Sequence, residues 1–358
     1  MLTLKQELSA SHKVKDGDAP FVIAEMSGNH NASLERALEI VDAAAETGAD
    51  ALKIQTFTAD SMTLDMGEGE FTISDPKSLW AGRRLYDLYD QAKTPAEWHK
   101  PIFERARERG ILCFSTPFSD DAVDLLEDLN APCYKIASYE AVDLPLIRTV
   151  ASTGKPMIIS TGMASVAEIA EAVEAAKDAG CKNLTLLKCT SSYPASPENT
   201  NLATMPKLRD AFGCNFGLSD HTLGIGVAVA ATALGASVIE KHFTIDRSAG
   251  GVDSAFSLET DEFRSLVEET TRASQALGEV RFGATESEIS GRGKRRSLYI
   301  GADLKAGDVL TPDNLRRIRP GSGLPPRYYD VLLGRKVGKD IAKGTPMNWD
   351  LLDKMEQG

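Results

Sequence analysis

Eight short apolar runs punctuate the chain: FVIAE (21–25), ALKIQT (51–56), ILCFST (111–116), CYKIAS (133–138), MIIST (157–161), LTLLKC (184–189), NFGLSD (215–220) and SVIEKH (237–242). Each has the length and the aliphatic content of a strand buried on both faces. Amphipathic stretches at helical spacing lie between them. SLERALEIVDAAAETGA (33–49) and SVAEIAEAVEAAKDAG (165–180) both open at Ser with Glu nearby and close at Gly, the marks of a helix start and stop. Strand and helix alternate eight times. Alternation predicts a parallel sheet, and eight units predict an α/β fold closed as a (β/α)₈ TIM barrel. A doubly wound sheet is the alternative, although no G-x-G-x-x-G follows a strand.

Two stretches break the rhythm. Residues 57–95, which contain MTLDMGEGEFTISDPKSLW, are long for a strand-to-helix loop and read as a lid or a specificity element. Beyond about residue 283 the alternation stops. Gly, Pro and short β-prone runs replace it, which predicts a small separate domain. The expected organisation is an N-terminal extension (1–20), the barrel (21–283), a linker (284–294) and a C-terminal domain (295–358).

Polar residues gather at the carboxyl ends of the predicted strands: Glu25; Lys53 with Gln55; Ser115 with Thr116; Lys135 with Ser138; Ser160 with Thr161; Thr190; Ser219 with Asp220 and His221; Glu240 and His242. SVIEKH shows the switch most sharply, since two aliphatic residues are followed by a carboxylate, an ammonium and an imidazole. Burying such groups unpaired costs several kcal/mol. Barrel active sites lie on this face, so the charged strand ends are read as a site floor.

Composition narrows the classes. The 358 residues are 42% hydrophobic and 26% charged, ordinary for a soluble globular protein. No apolar run is long enough to span a bilayer. The first twenty residues lack the apolar core of a secretory signal. Five cysteines form no C-x-x-C pair and read as reduced thiols of a cytoplasmic enzyme. A net charge of −12 argues against general binding to nucleic acid or an anionic membrane. Residues 291–343 nevertheless hold thirteen Lys and Arg against five Asp and Glu, a net of +8 that leaves −20 on the rest. This basic segment can bind a polyanion. It can equally dock on an acidic barrel, its own or a partner's.

The candidate chemistry follows from residue types. His221 and His242 end neighbouring strands and suit a divalent ion such as Mn²⁺ with open positions; alternatively, one of them is a hydrogen-bonded core group. Lys53, Lys135, Thr116, Ser138 and Ser160 suit a phosphate-plus-carboxylate substrate; alternatively, the lysines are buried partners of Glu25, Glu140 or Glu240. Glu25 and Glu140 can orient water or sugar hydroxyls, or act as acid or base.

FVIAEMSGNHN, ADALKIQTF, CFSTPFS, YKIAS, ISTGMAS, KCTSSYPAS, GLSDHT and IEKHFT, taken together and in order, resemble the sialic acid synthase family. RRSLY…RPGSGL looks like that family's antifreeze-like (SAF) domain. The resemblance runs from about residue 20 to the end. It implies a metal-assisted condensation of phosphoenolpyruvate with an N-acetylated amino sugar, with water activated by the metal or oriented by Glu25. It implies that Lys53, Thr116, Lys135, Ser138, Ser160 and Ser191 hold phosphoenolpyruvate with Ser219 nearby, and that His221 and His242 hold Mn²⁺ or Mg²⁺. Glu140, Tyr193 and Asp253 would contact the sugar. Arg319 would reach the sugar's N-acetyl group from the partner subunit of a domain-swapped homodimer. Two places depart from the sialic acid synthases: Ser191 stands where they carry Asn, and GGVDSAFSL where they carry a GPDH motif. GGVDSAFS and MSGNHN look like the branch that makes pseudaminic acid, whose sugar has a 6-methyl and a second acetamido group. Synthesis of legionaminic or N-acetylneuraminic acid is the near alternative. A non-enzymatic polyanion-binding protein on a barrel scaffold is the distant one.

Overall fold

The computed structural model describes residues 2–11, 19–76 and 78–353. Residues 12–18 of the expected extension and 354–358 of the expected C-terminal domain lie outside them. The chain divides into two compact units, Met1–Gly278 and Glu279–Gly358.

The first unit opens with a short helix α1 (Leu4–Ser11) and then alternates in the predicted way: β1 (Phe21–Glu25), α2 (Leu34–Thr47), β2 (Ala51–Thr56), α3 (Ala59–Met62), α4 (Leu85–Ala92), α5 (Ala96–Arg109), β3 (Leu112–Pro117), α6 (Asp120–Asp128), β4 (Tyr134–Ile136), α7 (Leu144–Ser152), β5 (Met157–Ser160), α8 (Val166–Asp178), β6 (Leu184–Cys189), α9 (Met205–Phe212), β7 (Asn215–Asp220), α10 (Gly226–Ala233), β8 (Val238–His242) and α11 (Thr260–Leu277). The eight strands close in sequence order into a parallel barrel, with β1 hydrogen-bonded to both β2 and β8. The caps read from the sequence form as expected. The Ser33 hydroxyl accepts from the Arg36 N–H, and Gly48 ends α2 at φ 84°. Ser165 and Glu168 make a reciprocal capping box on α8.

Side chains alternate across each strand, and the two faces differ. Outward residues such as Val22, Leu52, Ile54, Ile136, Ile159, Leu186 and Ile239 pack against the helical layer in the larger core cluster. Inward residues change character along the strand. Ile23, Ala51, Phe114, Cys133, Ile158, Leu187 and Val238 form an apolar floor. Two positions further on, the same strands present Glu25, Lys53, Thr116, Lys135, Ser160, Cys189 and Glu240. Leu4 and Leu8, one turn apart on α1, complete the floor, so part of the expected N-terminal extension is a fitted element of the barrel.

Alternation also corrects the sequence-based grouping of strand-end polar residues. Asp220 and Lys241 point outward and pair at 2.7 Å, both side chains fully buried. Ser115 bonds Thr56 Oγ1 and the Ile54 carbonyl, and Thr56 bonds His99. Thr161 Oγ1 donates to the Leu187 carbonyl and Thr190 Oγ1 to the Asn199 carbonyl. These groups serve the structure around the site, because neighbours in sequence on a strand face opposite sides.

The second unit contains an antiparallel pair, β9 (Ser297–Ile300) and β10 (Leu315–Ile318). Its own core includes Leu298, Ile300, Leu310, Leu315, Val337 and Met347. Among the described residues no helix is long and apolar enough to cross a membrane. All five cysteines are free and buried.

Candidate active site

Four charged side chains from different strands meet at the top of the barrel interior, none more than 5% exposed. Lys53 Nζ lies 2.6 Å from Glu25 Oε2 and 3.8 Å from Glu240 Oε1, and it donates to Thr116 Oγ1 at 3.0 Å. Lys135 Nζ donates to the same Glu240 oxygen at 3.2 Å. Gln55 bonds the other oxygen of Glu25. The lysines are therefore paired with Glu25 and Glu240, and not with Glu140. The pairing leaves three buried polar atoms without partners: Ser160 Oγ, Glu240 Oε2 and His242 Nδ1. All three residues line one cavity of about 60 Å³, together with both lysines, Ser138, Ser219, Tyr193 and His221. Unpartnered buried polar groups are costly, and three in one cavity mark a place shaped for a polar ligand.

The two carboxylates are pushed apart. Burial raises both, but Lys135 and Lys53 outweigh it at Glu240, whose pKa falls. At Glu25 burial prevails over Lys53, with Glu240 adding to it, and the pKa rises. Glu240 is thus a fixed charge that holds two ammoniums, and Glu25 is the group able to exchange a proton.

His221 and His242 sit beside this array with ring centroids 5.3 Å apart. His221 Nδ1 is 3.0 Å from the Thr190 carbonyl. A carbonyl only accepts, so Nδ1 carries a proton and Nε2 is the nitrogen left to face a ligand. Burial, then His221 and nearby lysines, hold His242 well below the usual imidazole range, hence neutral. Burial lowers the His221 pKa, but Cys189, the Thr190 carbonyl and Glu240 outweigh it and the pKa rises. Two adjacent imidazoles, one ring fixed through Nδ1, suit a divalent ion that takes the place of a proton on His221, its remaining positions going to water or substrate. Among the described residues no cluster of three or more His, Cys, Asp or Glu is placed to hold an ion, so the protein's fit to a metal rests on these two nitrogens.

The other expected residues lie around this centre. Ser138 Oγ accepts from the Gly162 N–H at 3.2 Å. A Cβ at Gly162 would fall 2.3 Å from Ser191 Oγ and 2.7 Å from Ser138 Oγ, so the absent side chain leaves room for two hydroxyls. Glu140 follows β4 in a turn. Burial pushes its carboxyl up to about 7 despite Lys135, and its Oε2 has no partner. Asp253 lies in the loop after β8 and accepts from Ser27 Oγ. Burial raises its pKa, with the Ser27 hydroxyl and Gly28 N–H opposing. Arg319 belongs to the second unit.

Beside the expected Tyr193, the site brings in Cys189, Phe256 and Trp80, which the sequence did not single out. Cys189 lines the cavity, with Sγ 3.8 Å from both Ser191 Oγ and His221 Nδ1. Phe256 packs on His242 and Tyr193, and Tyr193 on His221 and Trp80. No local signal in the chain marks Trp80 or Phe256, since Leu79 and Ala255 beside them are as apolar as ordinary loop packing residues. MSGNHN proves to be a clasp for the loop after β8. Besides Ser27 with Asp253, Asn29 donates to the Phe243 carbonyl and Ser257 Oγ, and Asn31 to the Gly250 carbonyl. Ser27 adopts φ 48° to do so, a conformation unusual outside glycine.

Comparison with known proteins agrees with this geometry. The chain matches the NeuB family over residues 40–282 and the SAF domain over 295–353. It is 45% identical over 327 residues to a pseudaminic acid synthase of Campylobacter jejuni, covering 91% of this chain and 95% of the relative. A pseudaminic acid synthase of Helicobacter pylori is 43% identical, with 94% and 98% covered. Among solved structures, the N-acetylneuraminic acid synthetase of Leptospira borgpetersenii in complex with citrate superposes with a TM-score of 0.68 at 32% identity, over 77% of this chain and 91% of that one.

Proposed function

The chain belongs to the NeuB family, the sialic acid synthases, and we propose that it is a transferase making pseudaminic acid. It condenses phosphoenolpyruvate with 2,4-diacetamido-2,4,6-trideoxy-β-L-altropyranose and water, and releases phosphate by C–O cleavage. The observation that carries the reading is the buried Glu25–Lys53–Glu240–Lys135 array beside two adjacent imidazoles. Likeness over nearly the whole length to proteins named for that product supports the choice of sugar.

Lys53 and Lys135 face the phosphate and carboxylate of phosphoenolpyruvate, with hydroxyls of Thr116, Ser138, Ser160, Ser191 and Ser219 around them. The orphaned Ser160 Oγ gains an acceptor when the anion arrives. Glu240 keeps both ammoniums aimed at one point. When bound at His221 and His242, a divalent ion, Mn²⁺ or Mg²⁺, supplies Lewis-acid polarisation of oxygen. Glu140, Tyr193 and Asp253 hold the open-chain sugar so that its aldehyde carbon meets C3 of phosphoenolpyruvate. Alignment of the two substrates removes several kcal/mol of barrier. As C3 bonds to the aldehyde carbon, the carbonyl π pair passes to the aldehyde oxygen, which takes up a proton and becomes a hydroxyl, and C2 becomes electron-poor. Glu25 orients the water that adds there and accepts its proton, as its raised pKa suits. The resulting tetrahedral carbon expels phosphate.

The enzyme is cytoplasmic and acts as a domain-swapped homodimer in which Arg319 of the partner subunit reaches the sugar's N-acetyl group. The basic charge of residues 291–343 supports docking on an acidic body. Mixing Arg319→Ala with His242→Ala protein should then restore some activity through mixed sites. The function itself is tested by a panel of diacetamido and monoacetamido sugars with phosphoenolpyruvate, read by phosphate release and product mass. Release with the altrose derivative, and a product mass equal to both substrates plus water less phosphate, is the expected result. Preference for the legionaminic or neuraminic precursor would overturn the choice of sugar, and no release with any sugar would overturn the activity.

A further inference from the structure

We infer that Trp80, from the long segment after β2, selects the sugar by its far end: it extends an apolar wall against which a methyl group fits and a hydroxymethyl group does not. The inference rests on the proposed condensation and deepens it.

Three rings stand in series. Phe256 lies 4.9 Å from His242 by ring centroid and 5.2 Å from Tyr193. Tyr193 lies 4.5 Å from His221. Trp80 lies 5.9 Å from Tyr193, one ring further from that histidine. The reacting aldehyde belongs at the histidine end of the site. Five single C–C bonds separate C1 from C6, an extended span of roughly 6 Å. The end of the sugar chain that is not reacting therefore reaches the Tyr193–Trp80 part of the wall.

Beyond the Tyr193 phenol, the indole end of the wall offers little to a hydroxyl. The one polar group of Trp80, its Nε1–H, is already committed to the Val252 carbonyl at 3.0 Å. Val252 presses on Gly28, where a Cβ would fall 2.4 Å from its Cγ2. The bond and the packing fix the indole against the loop after β8, and the Asn29, Asn31 and Ser27 clasp holds that loop in turn. A hydroxymethyl group at this wall gives up its bonds to water and finds no donor on the indole. A methyl group only leaves water. Apolar pockets reject an added hydroxyl by about 100-fold at most, which sets the size of the effect.

The test compares kcat/KM for the 6-deoxy sugar and its 6-hydroxy counterpart, in the full-length protein with metal and phosphoenolpyruvate. Wild type should prefer the 6-deoxy sugar by ~10- to 100-fold. Trp80→Ala should cut that ratio to a few-fold, mainly through KM of the 6-deoxy sugar. Trp80→Phe should keep most of it. Phosphoenolpyruvate affinity by calorimetry should be unchanged in both variants, which separates a local effect from failure to fold. An unchanged ratio in Trp80→Ala overturns the inference. So does loss of phosphoenolpyruvate affinity in parallel with loss of the ratio. Equal turnover of both sugars by wild type overturns the inference and leaves the proposed activity standing; turnover of neither overturns both.

Discussion

The two ends of the barrel interior are built from the same strands on the same face, two residues apart, and they have opposite chemistry. At the amino end, Ile23, Ala51, Phe114, Cys133, Ile158 and Val238 close over Leu4 and Leu8 of α1. At the carboxyl end, Glu25, Lys53, Thr116, Lys135, Ser160 and Glu240 enclose a cavity. The lower end returns apolar burial at roughly 25 cal/mol per Å². The upper end takes four charges out of water and leaves three polar atoms unpartnered. Burial stabilises the lower end by itself, whereas the upper end is costly until a ligand completes it. Stability and function are therefore separable along a single strand, and experiments can pull them apart.

The largest expected effect is metal removal. Chelation should abolish phosphate release and Mn²⁺ should restore it, and His242→Ala should remove most activity while shifting the melting temperature little. Full turnover in a metal-analysed, chelated sample would contradict this. Next is the double replacement Glu25→Leu with Lys53→Met. Exchanging a buried ion pair for apolar groups of similar size is often neutral or stabilising by ~1–4 kcal/mol. Denaturant unfolding should therefore match or exceed wild type, while kcat/KM falls at least ~100-fold. Marked destabilisation would mean that the upper end also builds the fold. The mirror experiment is at the floor. Leu8→Ala should cost about 2–5 kcal/mol and leave kcat/KM per folded molecule unchanged, and a kinetic effect at constant folding would break the division.

A smaller effect is expected at one ammonium. Lys135→Ala should weaken phosphoenolpyruvate about tenfold or more in calorimetry, because a charge-assisted contact is worth roughly 1.5–3 kcal/mol. Unchanged affinity would make Lys135 purely a partner of Glu240. The smallest effect concerns pH. The folded pKa of Glu140, about 7, lies above its ordinary value of 4.5. Its contribution to stability is therefore fully present below about 4.5 and lost as pH rises through about 7. In the proposed sugar site a hydroxyl donates to the carboxylate form of Glu140, so KM for the sugar should fall as pH rises through the same range. Glu140→Gln should flatten both profiles, and a KM profile that persists in that variant would remove Glu140 from the sugar site.

The sequence by itself determined the order of the elements. Residue for residue, β1, β2, β6 and β7 are the apolar runs that predict strands, because strand length, aliphatic content and helix caps such as Ser33 and Ser165 are local properties. It also located the polar strand ends, since eight parallel strands that all become polar at the same end must bring those ends together on one face of a barrel. What it did not show was which polar residue faces which way. Glu240 turns inward to two lysines and Lys241 outward to Asp220, a distinction set by register and closure. Nor did it show that Leu4 and Leu8 belong to the barrel, because a short helix has no stability of its own and takes its place only by packing. The wall of Trp80, Tyr193 and Phe256 joins positions far apart along the chain. A loop's course depends on what it packs against, so only the closed tertiary structure, which sets β1 beside β8 and the loop after β8 against the MSGNHN clasp, decided that these rings would meet.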